Sequence, residues 1–407
     1  MSKRQVIILW AVAAILGALV LVIKLTSGDP DQIATERKPG ETLFESFPAE
    51  SISRVVVNGA KESLTLEKSG TGWVLVERDG YPADATLVLE LIRMIDELEI
   101  TRAIEAGPSL APRFGMNPEA SKEEDHGIEI KFLGKNKEEL AKVTLGKNIE
   151  TGINEGILGG SMMVGRYIRN HADESGFYAS SELFPAVTDV ASSWLRDTFI
   201  NPEKIESVAV TKPDSKELAW HLNRKSEEAV FQVVGGKPNE VANSTFANRL
   251  GNFLSYTRFE DVVPAVDVPK RSAKEGKKQA TIKTFEGFTY TLTIIPSSDN
   301  KEQYLMQVTV DAELPKARNK EEGESPEDAK AKDKAFKERR QQLQDKLNEA
   351  KFFEGRTYLM AQASIELLLH GRDLMVTVAT PPAAPQPDPN QPPASLIRPG
   401  QPIAPGP

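Results

Sequence analysis

The chain contains one series of elements twice, and this repeat decides the predicted fold. Residues 52–102 read ISRVVV (52–57), LTLEK (64–68), WVLVER (73–78) and then a helical segment from YPAD (81–84) to ELEITR (97–102). Residues 205–258 repeat the order as IESVAV (205–210), LAWHLNR (218–224), FQVVGG (231–236) and a segment from KPNE (237–240) to LSYTR (254–258). Pro82 and Pro238 lie 156 positions apart, as do Thr101 and Thr257. Self-similarity at a fixed offset marks repeated supersecondary units, so the sequence predicts a duplicated strand–strand–strand–helix unit.

Further strand and turn signals extend each copy into a larger module. Alternating apolar residues separated by polar turns predict more strands after each helix, together with a helical stretch from about Ser181 to Trp194. We therefore expect an α+β fold with two duplicated modules of antiparallel sheets and packed helices, at 45–201 and 202–379. Trp73, Trp194 and Trp220 fall in apolar surroundings, which favours positions in the core.

The second module carries a charged insertion. Ser325 followed by Pro326, Glu327 and Asp328 is typical of a helix start, and the helix is predicted at about 326–350. Its apolar seam consists of Phe336, Leu343 and Leu347, spaced seven and four residues apart. That spacing favours one weak contact with a neighbour, as in a short coiled coil, so these three residues are the candidate partner-binding residues.

The two ends of the chain differ in composition from the body. The unbroken apolar run from Val6 to Ile23 is about as long as a hydrocarbon core is thick, which predicts a transmembrane anchor at 6–23 with residues 1–5 in the cytoplasm. A cleaved secretory signal is the alternative, although its apolar core is usually only about 7–15 residues. Residues 24–44 then form a polar tether, and the proline-rich tail at 380–407 is predicted to be disordered.

Composition limits the classes of function. A net charge of −9 over 407 residues argues against nucleic acid as the main partner, because phosphate binding needs a basic surface. The absence of cysteine from the sequence removes thiolate catalysis and thiolate-bound metals. Hydrophobic residues make up 40% of the chain, as expected of a globular protein.

Motifs that carry chemistry are missing. The four histidines, His126, His171, His221 and His370, are not spaced as metal ligands, and no HExxH motif occurs. Gly146-Lys147 ends a predicted strand without the glycine-rich run of a phosphate-binding loop. The acidic run Glu123–Asp125 is best interpreted as a solvated turn. The sequence thus predicts no catalytic, cofactor-binding or metal-binding residues, no cofactor and no small-molecule substrate.

Several landmarks together resemble the bacterial family called domain of unknown function 4340. They are the Trp73 strand WVLV, YPAD at 81–84, FGMNP at 114–118, Leu145-Gly146, GRTY at 355–358 and RDL at 372–374. Members of that family look like single-span envelope proteins, often encoded beside ABC-type export systems of the gliding-motility kind. The resemblance implies an inner-membrane protein whose body lies in the periplasm, and it offers no catalytic residues. The charged helix and the proline-rich tail depart from the family pattern.

These observations favour a membrane-anchored accessory or scaffold protein, not an enzyme, that binds envelope proteins such as ABC-type transporter subunits. Two alternatives stay open. One is a binding module for cell-wall glycan or peptide, with the proline-rich tail as a spacer. The other is an envelope-polymer hydrolase with dispersed carboxylates such as Glu260 and Asp261, since glycosidase acids are often far apart in sequence.

Overall fold

The computed structural model describes residues 3–26, 32–152, 161–320 and 323–379, which form an α+β architecture with mostly antiparallel sheets. The helices of these residues are α1 (Lys3–Thr26), α2 (Ala85–Asp96), α3 (Glu123–His126), α4 (Ser244–Ala247), α5 (Val268–Arg271), α6 (Pro326–Lys351), α7 (Gln362–Leu369) and α8 (Arg372–Met375).

The first sheet belongs to the first repeat and has nine strands. In spatial order they run β4-β3-β2-β1-β6-β7-β8-β9-β5. Their bounds are β1 (Arg54–Asn58), β2 (Ser63–Ser69), β3 (Gly72–Leu75), β4 (Tyr81–Pro82), β5 (Arg102–Ile104), β6 (Ile128–Leu133), β7 (Glu139–Gly152), β8 (Ser161–Asn170) and β9 (Phe177–Ser180). Alternate residues of β1 are buried, so the period of two places Val55 and Val57 in the core.

The second sheet has eight strands in the order β12-β11-β10-β15-β16-β17-β18-β14, and β13 pairs separately with β19. The bounds are β10 (Ile205–Thr211), β11 (Leu218–Asn223), β12 (Gln232–Val233), β13 (Glu240–Ala242), β14 (Asp261–Val263), β15 (Lys278–Thr284), β16 (Phe288–Pro296), β17 (Gln303–Ala312), β18 (Thr357–Ala361) and β19 (Val376–Val378). Apart from β4, each strand of the first sheet has a counterpart at the same place in this order. The two sheets therefore have one topology.

The structural offset between the two helical segments is 159 residues and not 156. Asp84 and Asn243 are the N-caps of α2 and α4, and β5 and β14 begin at Arg102 and Asp261. Both pairs lie 159 positions apart. The sequence alignment relied on matching proline, threonine and arginine residues, whereas caps and strand pairing determine the equivalence in the fold.

The second helical segment is shorter than the repeat predicts. The first copy forms the 12-residue helix α2, whereas the second forms only α4 and a 3-10 turn at Asn248–Asn252. Asparagine and glycine, which stand at 248, 251 and 252, are weak helix formers. The helical stretch predicted from Ser181 is likewise reduced to a 3-10 turn at Ala191–Trp194.

One continuous apolar core joins both sheets. It includes Trp73, Trp194 and Trp220, as the sequence predicted. At the junction, the ring of Tyr81 from the first module lies 5.6 Å from Phe259 and 6.2 Å from Tyr358 of the second. An ion pair closes the same junction.

That ion pair links Arg78 to Asp261. The Nε and Nη2 atoms of Arg78 donate to the two carboxylate oxygens of Asp261 over 2.8 and 3.0 Å, and Nη2 also donates to Glu62 over 3.1 Å. A bidentate arginine–carboxylate pair fixes orientation as well as distance. The two modules are thus held in one arrangement by shared core and by directed hydrogen bonds.

The predicted transmembrane anchor at 6–23 is wrong. Residues 3–26 do form α1, but within the described part of the chain no helix is long and apolar enough to cross a membrane. A span needs about 20 consecutive apolar residues, and among the described residues α1 does not meet that requirement. The transmembrane part of the predicted fold, and the single-pass inner-membrane location that depended on it, are corrected accordingly.

The tether and the tail differ in how far the structure describes them. The end of the predicted tether packs onto the first module, since Leu43 is fully buried and its N–H donates to the carbonyl of Leu98 over 2.8 Å. Thr42 also forms a β-bridge with Glu99. Residues 1–2 and 27–31 and the predicted disordered tail at 380–407 lie outside the described residues.

Candidate functional site

The predicted partner-binding residues lie on α6, whose C-terminal half packs on the second module. Leu343 has 6% of its surface exposed, Leu347 packs against the same core, and Phe336 is half-buried nearer the N-terminal end. The seam is therefore covered by its own chain at Leu343. Partner binding by these three residues stays a prediction.

Charged groups fix α6 in that position. Glu286, in the turn between β15 and β16, has 9% of its side chain exposed and pairs with Lys346 over 2.8 Å and with Arg339. Lys204 lies 3.6 Å from the same carboxylate. Burial alone would raise the pKa of Glu286, but these three cations lower it below its ordinary value. The helix is thus docked by ion pairs around one carboxylate.

A different region of the first module forms a cleft, which begins at a β-bulge in β7. The pairing of β7 with β8 shifts between Leu145 and Asn148, so Gly146-Lys147 supplies one extra residue. The loop at residues 113–118 crosses the strand at this point: a Cβ on Gly146 would lie 2.2 Å from the carbonyl oxygen of Phe114. A side chain at position 146 would clash with this loop. The close backbone crossing therefore accounts for a glycine at this position, and no phosphate-binding role is needed to explain it.

Beyond the bulge, β7 forms one wall of a cleft of about 780 Å³. Pairing of β6 with β7 ends at the Ile128–Leu145 pair, because the chain before Ile128 turns away into α3. The cleft lies between α3 and the part of β7 from Gly146 to Glu150. The acidic run of α3 and the Gly146-Lys147 pair, which are separate in the sequence, thus face one cavity.

Arg166 of β8 also lines this cleft. Its Nε donates to the carbonyl of Gly146 over 2.7 Å and its Nη1 to the carbonyl of Leu183 over 3.3 Å. Among the described residues no carboxylate pairs with it, and burial lowers the pKa of its guanidinium to about 10. It therefore stays protonated at neutral pH as a half-buried cation held by main-chain oxygens.

The opposite wall is acidic and partly neutralised. Lys61 pairs with Glu123 over 2.9 Å, and its backbone N–H donates to Asp189 over 2.7 Å. The charged residues that line the cleft are five acids and two bases, an excess of three negative charges: Glu123, Glu124, Asp125, Glu150 and Asp189 against Lys147 and Arg166. The cleft is accordingly of mixed charge, with a cation on its β8 side and a surplus of acid on its α3 side.

A smaller cavity of about 240 Å³ lies on the other side of the crossing loop and contains His126 and His171. His171 shares a hydrogen bond with the hydroxyl of Thr144 over 2.8 Å. Burial and the nearby positive charges of Arg169 and Lys142 lower the pKa of His171 to about 4. Although sequence spacing separates these histidines, the fold brings them together. Across the described ranges, however, no cluster of three or more histidine or acidic side chains could hold a metal ion.

Sequence reasoning missed Arg166, although it quoted the glycine–lysine pair and the acidic run of the same cleft. Arg166 stands in MVGRYIRN, whose alternation indicates only a strand with polar residues on one face. The bulge that opens the edge of β7 depends on a contact between residues 114 and 146. Comparisons with family models, curated proteins and solved structures found no match for this chain, so its resemblance to the domain of unknown function 4340 family stays a prediction.

Proposed function

We propose that this protein is a scaffold that binds other proteins, and that the cleft of its first module receives a segment of a partner. The observation that carries the proposal is Arg166, a half-buried guanidinium that faces a large cleft, is held by two carbonyl oxygens and has no carboxylate partner among the described residues. A half-buried charge without a counter-charge costs stability, so its presence favours a role in binding.

The rigid body supports a scaffold role. The shared core and the Arg78–Asp261 pair hold the two modules together, so partners bound to each would keep a fixed separation. Subunits of an ABC-type transport system are the partners that the family resemblance implies, and they are the first class to test.

Two features weigh against the alternatives. The acids named for a hydrolase are both engaged: Asp261 pairs with Arg78, and Glu260 accepts a hydrogen bond from Gln303 over 2.6 Å. A glycan-binding sheet would favour a row of exposed aromatic rings, whereas the large exposed aromatics of the described residues are Trp10 in α1 and Tyr256 and Phe285 on separate loops.

The test is site-specific crosslinking in cells that express the full chain. A photoreactive amino acid replaces exposed Lys147 in the cleft and, as a matched control, exposed Lys216 in the turn between β10 and β11. We expect a defined protein to crosslink at 147 and not at 216, and mass spectrometry identifies it. Equal capture at both positions, or none at 147, contradicts the proposal.

A further inference from the structure

We infer that the cleft binds an extended peptide segment as an additional strand on the open edge of β7, with one carboxylate of that segment on Arg166. The inference rests on the proposed function and adds the binding mode and the chemistry of the segment.

The two edges of β7 have different neighbours. β8 lies along one edge from Val143 to Gly152, whereas β6 lies along the other only as far as Leu145. The loop at residues 113–118 lies against the backbone of Lys147, so the part of this edge that pairs with no described strand runs from Asn148 to Glu150 and borders the cleft. An edge without a neighbouring strand offers backbone N–H and C=O groups, which is how extended peptides add to sheets.

Arg166 can receive a carboxylate because its guanidinium is already oriented. Of its five N–H groups, two donate to the carbonyls of Gly146 and Leu183, which leaves others for a ligand. Arginine binds carboxylates through two parallel hydrogen bonds, and such charge-assisted bonds are among the strong ones. The ligand oxygen would thus meet a cation whose position is set before binding.

The charged residues around Arg166 favour particular side chains in the rest of the bound peptide segment. Lys61 pairs with Glu123 over 2.9 Å and Lys122 with Glu124 over 3.6 Å, which leaves Asp125 as the acid of α3 that can attract a lysine or arginine side chain. Ile149 and Met163 line the same cleft and can contact apolar side chains. Because successive side chains of a strand point to opposite faces, a segment that alternates apolar and basic residues around one acid fits this site.

The test uses fluorescein-labelled peptides of about eight residues, roughly the length of the open edge with its flanks. The first peptide alternates valine and lysine around one central glutamate, with both ends capped. In the second, glutamine replaces the glutamate. In the third, alternate backbone amides are N-methylated. Fluorescence anisotropy with the full chain measures each affinity.

We expect the glutamine and N-methylated peptides to bind about tenfold more weakly or worse, because each loses charge-assisted or strand hydrogen bonds. In Arg166→Gln the glutamate and glutamine peptides should bind alike. Arg224→Gln is the matched control, since Arg224 also donates through Nε to a carbonyl, that of Ile205, over 2.7 Å. This variant should keep the full preference for glutamate.

The peptide comparison needs no variant, so the inference is open to contradiction even if Arg166→Gln does not fold. Equal affinity for the glutamate and glutamine peptides overturns the carboxylate contact, and tight binding of the N-methylated peptide overturns strand addition. If crosslinking at position 147 captures a partner while the peptides show no preference, the inference fails and the proposed function stands. If the peptides behave as expected but no cellular protein is captured, the proposed function fails instead.

Discussion

The two modules share one strand order but differ at the hairpin that borders the cleft. Tyr178 in β9 and Tyr358 in β18 occupy the same place in the two sheets, and both are fully buried. Each of these tyrosines pairs with a residue of the neighbouring strand, and two positions before that residue stands Arg166 in the first module and Tyr304 in the second. Arg166 and Tyr304 are therefore equivalent positions. Tyr304 packs against the core, whereas Arg166 faces the cleft.

The partner strand differs in the same way. Arg166 pairs with Asn148, and β7 continues to Gly152, whereas Tyr304 pairs with Pro296, where β16 ends. In the second module this edge is covered, because the N–H of Ala273 donates to the carbonyl of Pro296 over 2.9 Å and Ser272 forms a β-bridge with Ser297. The duplication has thus kept one core and varied one hairpin, which is why the proposed binding role is placed in the first module.

The largest expected difference between equivalent residues is that between Tyr178 and Tyr358. The hydroxyl of Tyr178 donates to buried Asp173 and accepts from the backbone N–H of Arg37 over 3.1 Å, whereas that of Tyr358 makes one contact of 3.3 Å to the carbonyl of Phe353. Removing a partner from a buried carboxylate costs more than removing one long neutral bond. We expect Tyr178→Phe to lower the free energy of unfolding by about 2 kcal/mol and Tyr358→Phe by about 0.5 kcal/mol.

Urea unfolding at pH 7, followed by tryptophan fluorescence, measures both values. Tyr304→Phe is a control that leaves both buried hydroxyls in place. If the two substitutions lower the free energy of unfolding equally, the hydrogen bond between Tyr178 and Asp173 contributes little to stability. The two modules would then be more similar in energy than their hydrogen bonds indicate.

Local signals in the sequence predicted local structure well, and non-local contacts explain what they missed. Ser325 caps α6 through the N–H of Asp328, as its side chain and the following proline indicate, because a cap acts within one turn. The bulge at Gly146 and the open edge of β7 depend instead on Phe114, some thirty residues away. The predicted offset of 156 residues was wrong for the same reason. It relied on chance identities in the sequence, whereas strand register is set by pairing across the sheet.

The second expected difference concerns α6, which lies between β17 and β18 and has no counterpart between β8 and β9. Because the pKa of Glu286 is lowered in the folded state, its contribution is present above the carboxyl pKa of the unfolded chain, about 4.3, and is lost as pH falls toward the folded value. We expect Glu286→Gln at pH 7 to weaken docking of α6 by about 1 kcal/mol, which matches a modest, partly solvated ion-pair network.

Hydrogen exchange measured by mass spectrometry reports this docking, because amides of the C-terminal half of α6 should exchange about fivefold faster in the variant. Glu338→Gln is the matched control: Glu338 pairs with Lys334 on the exposed side of α6 over 3.8 Å. Unchanged exchange in Glu286→Gln would mean that the apolar contact of Leu343 alone holds the helix.

The smallest expected difference lies at the two equivalent N-caps. Asp84 accepts from the N–H of Thr86 over 2.9 Å and places a negative charge at the start of the 12-residue helix α2. Asn243 accepts from Thr245 over 3.2 Å, and its amide also donates to the carbonyl of Leu374 over 2.9 Å. Each module therefore has the cap residue that suits its own surroundings.

Exchanging the two cap residues tests that assignment. Asp84→Asn should cost about 0.5 kcal/mol, and the cost should fall in high salt because the interaction of a charge with a helix dipole is screened. Asn243→Asp should cost about 1 kcal/mol, since a carboxylate cannot donate to Leu374, and most of this cost should persist in salt. Urea unfolding at low and high sodium chloride separates the two. If both losses of stability vanish in high salt, the charge of the cap residue alone accounts for the two effects. The hydrogen bond to Leu374 would then contribute nothing to the difference between the modules.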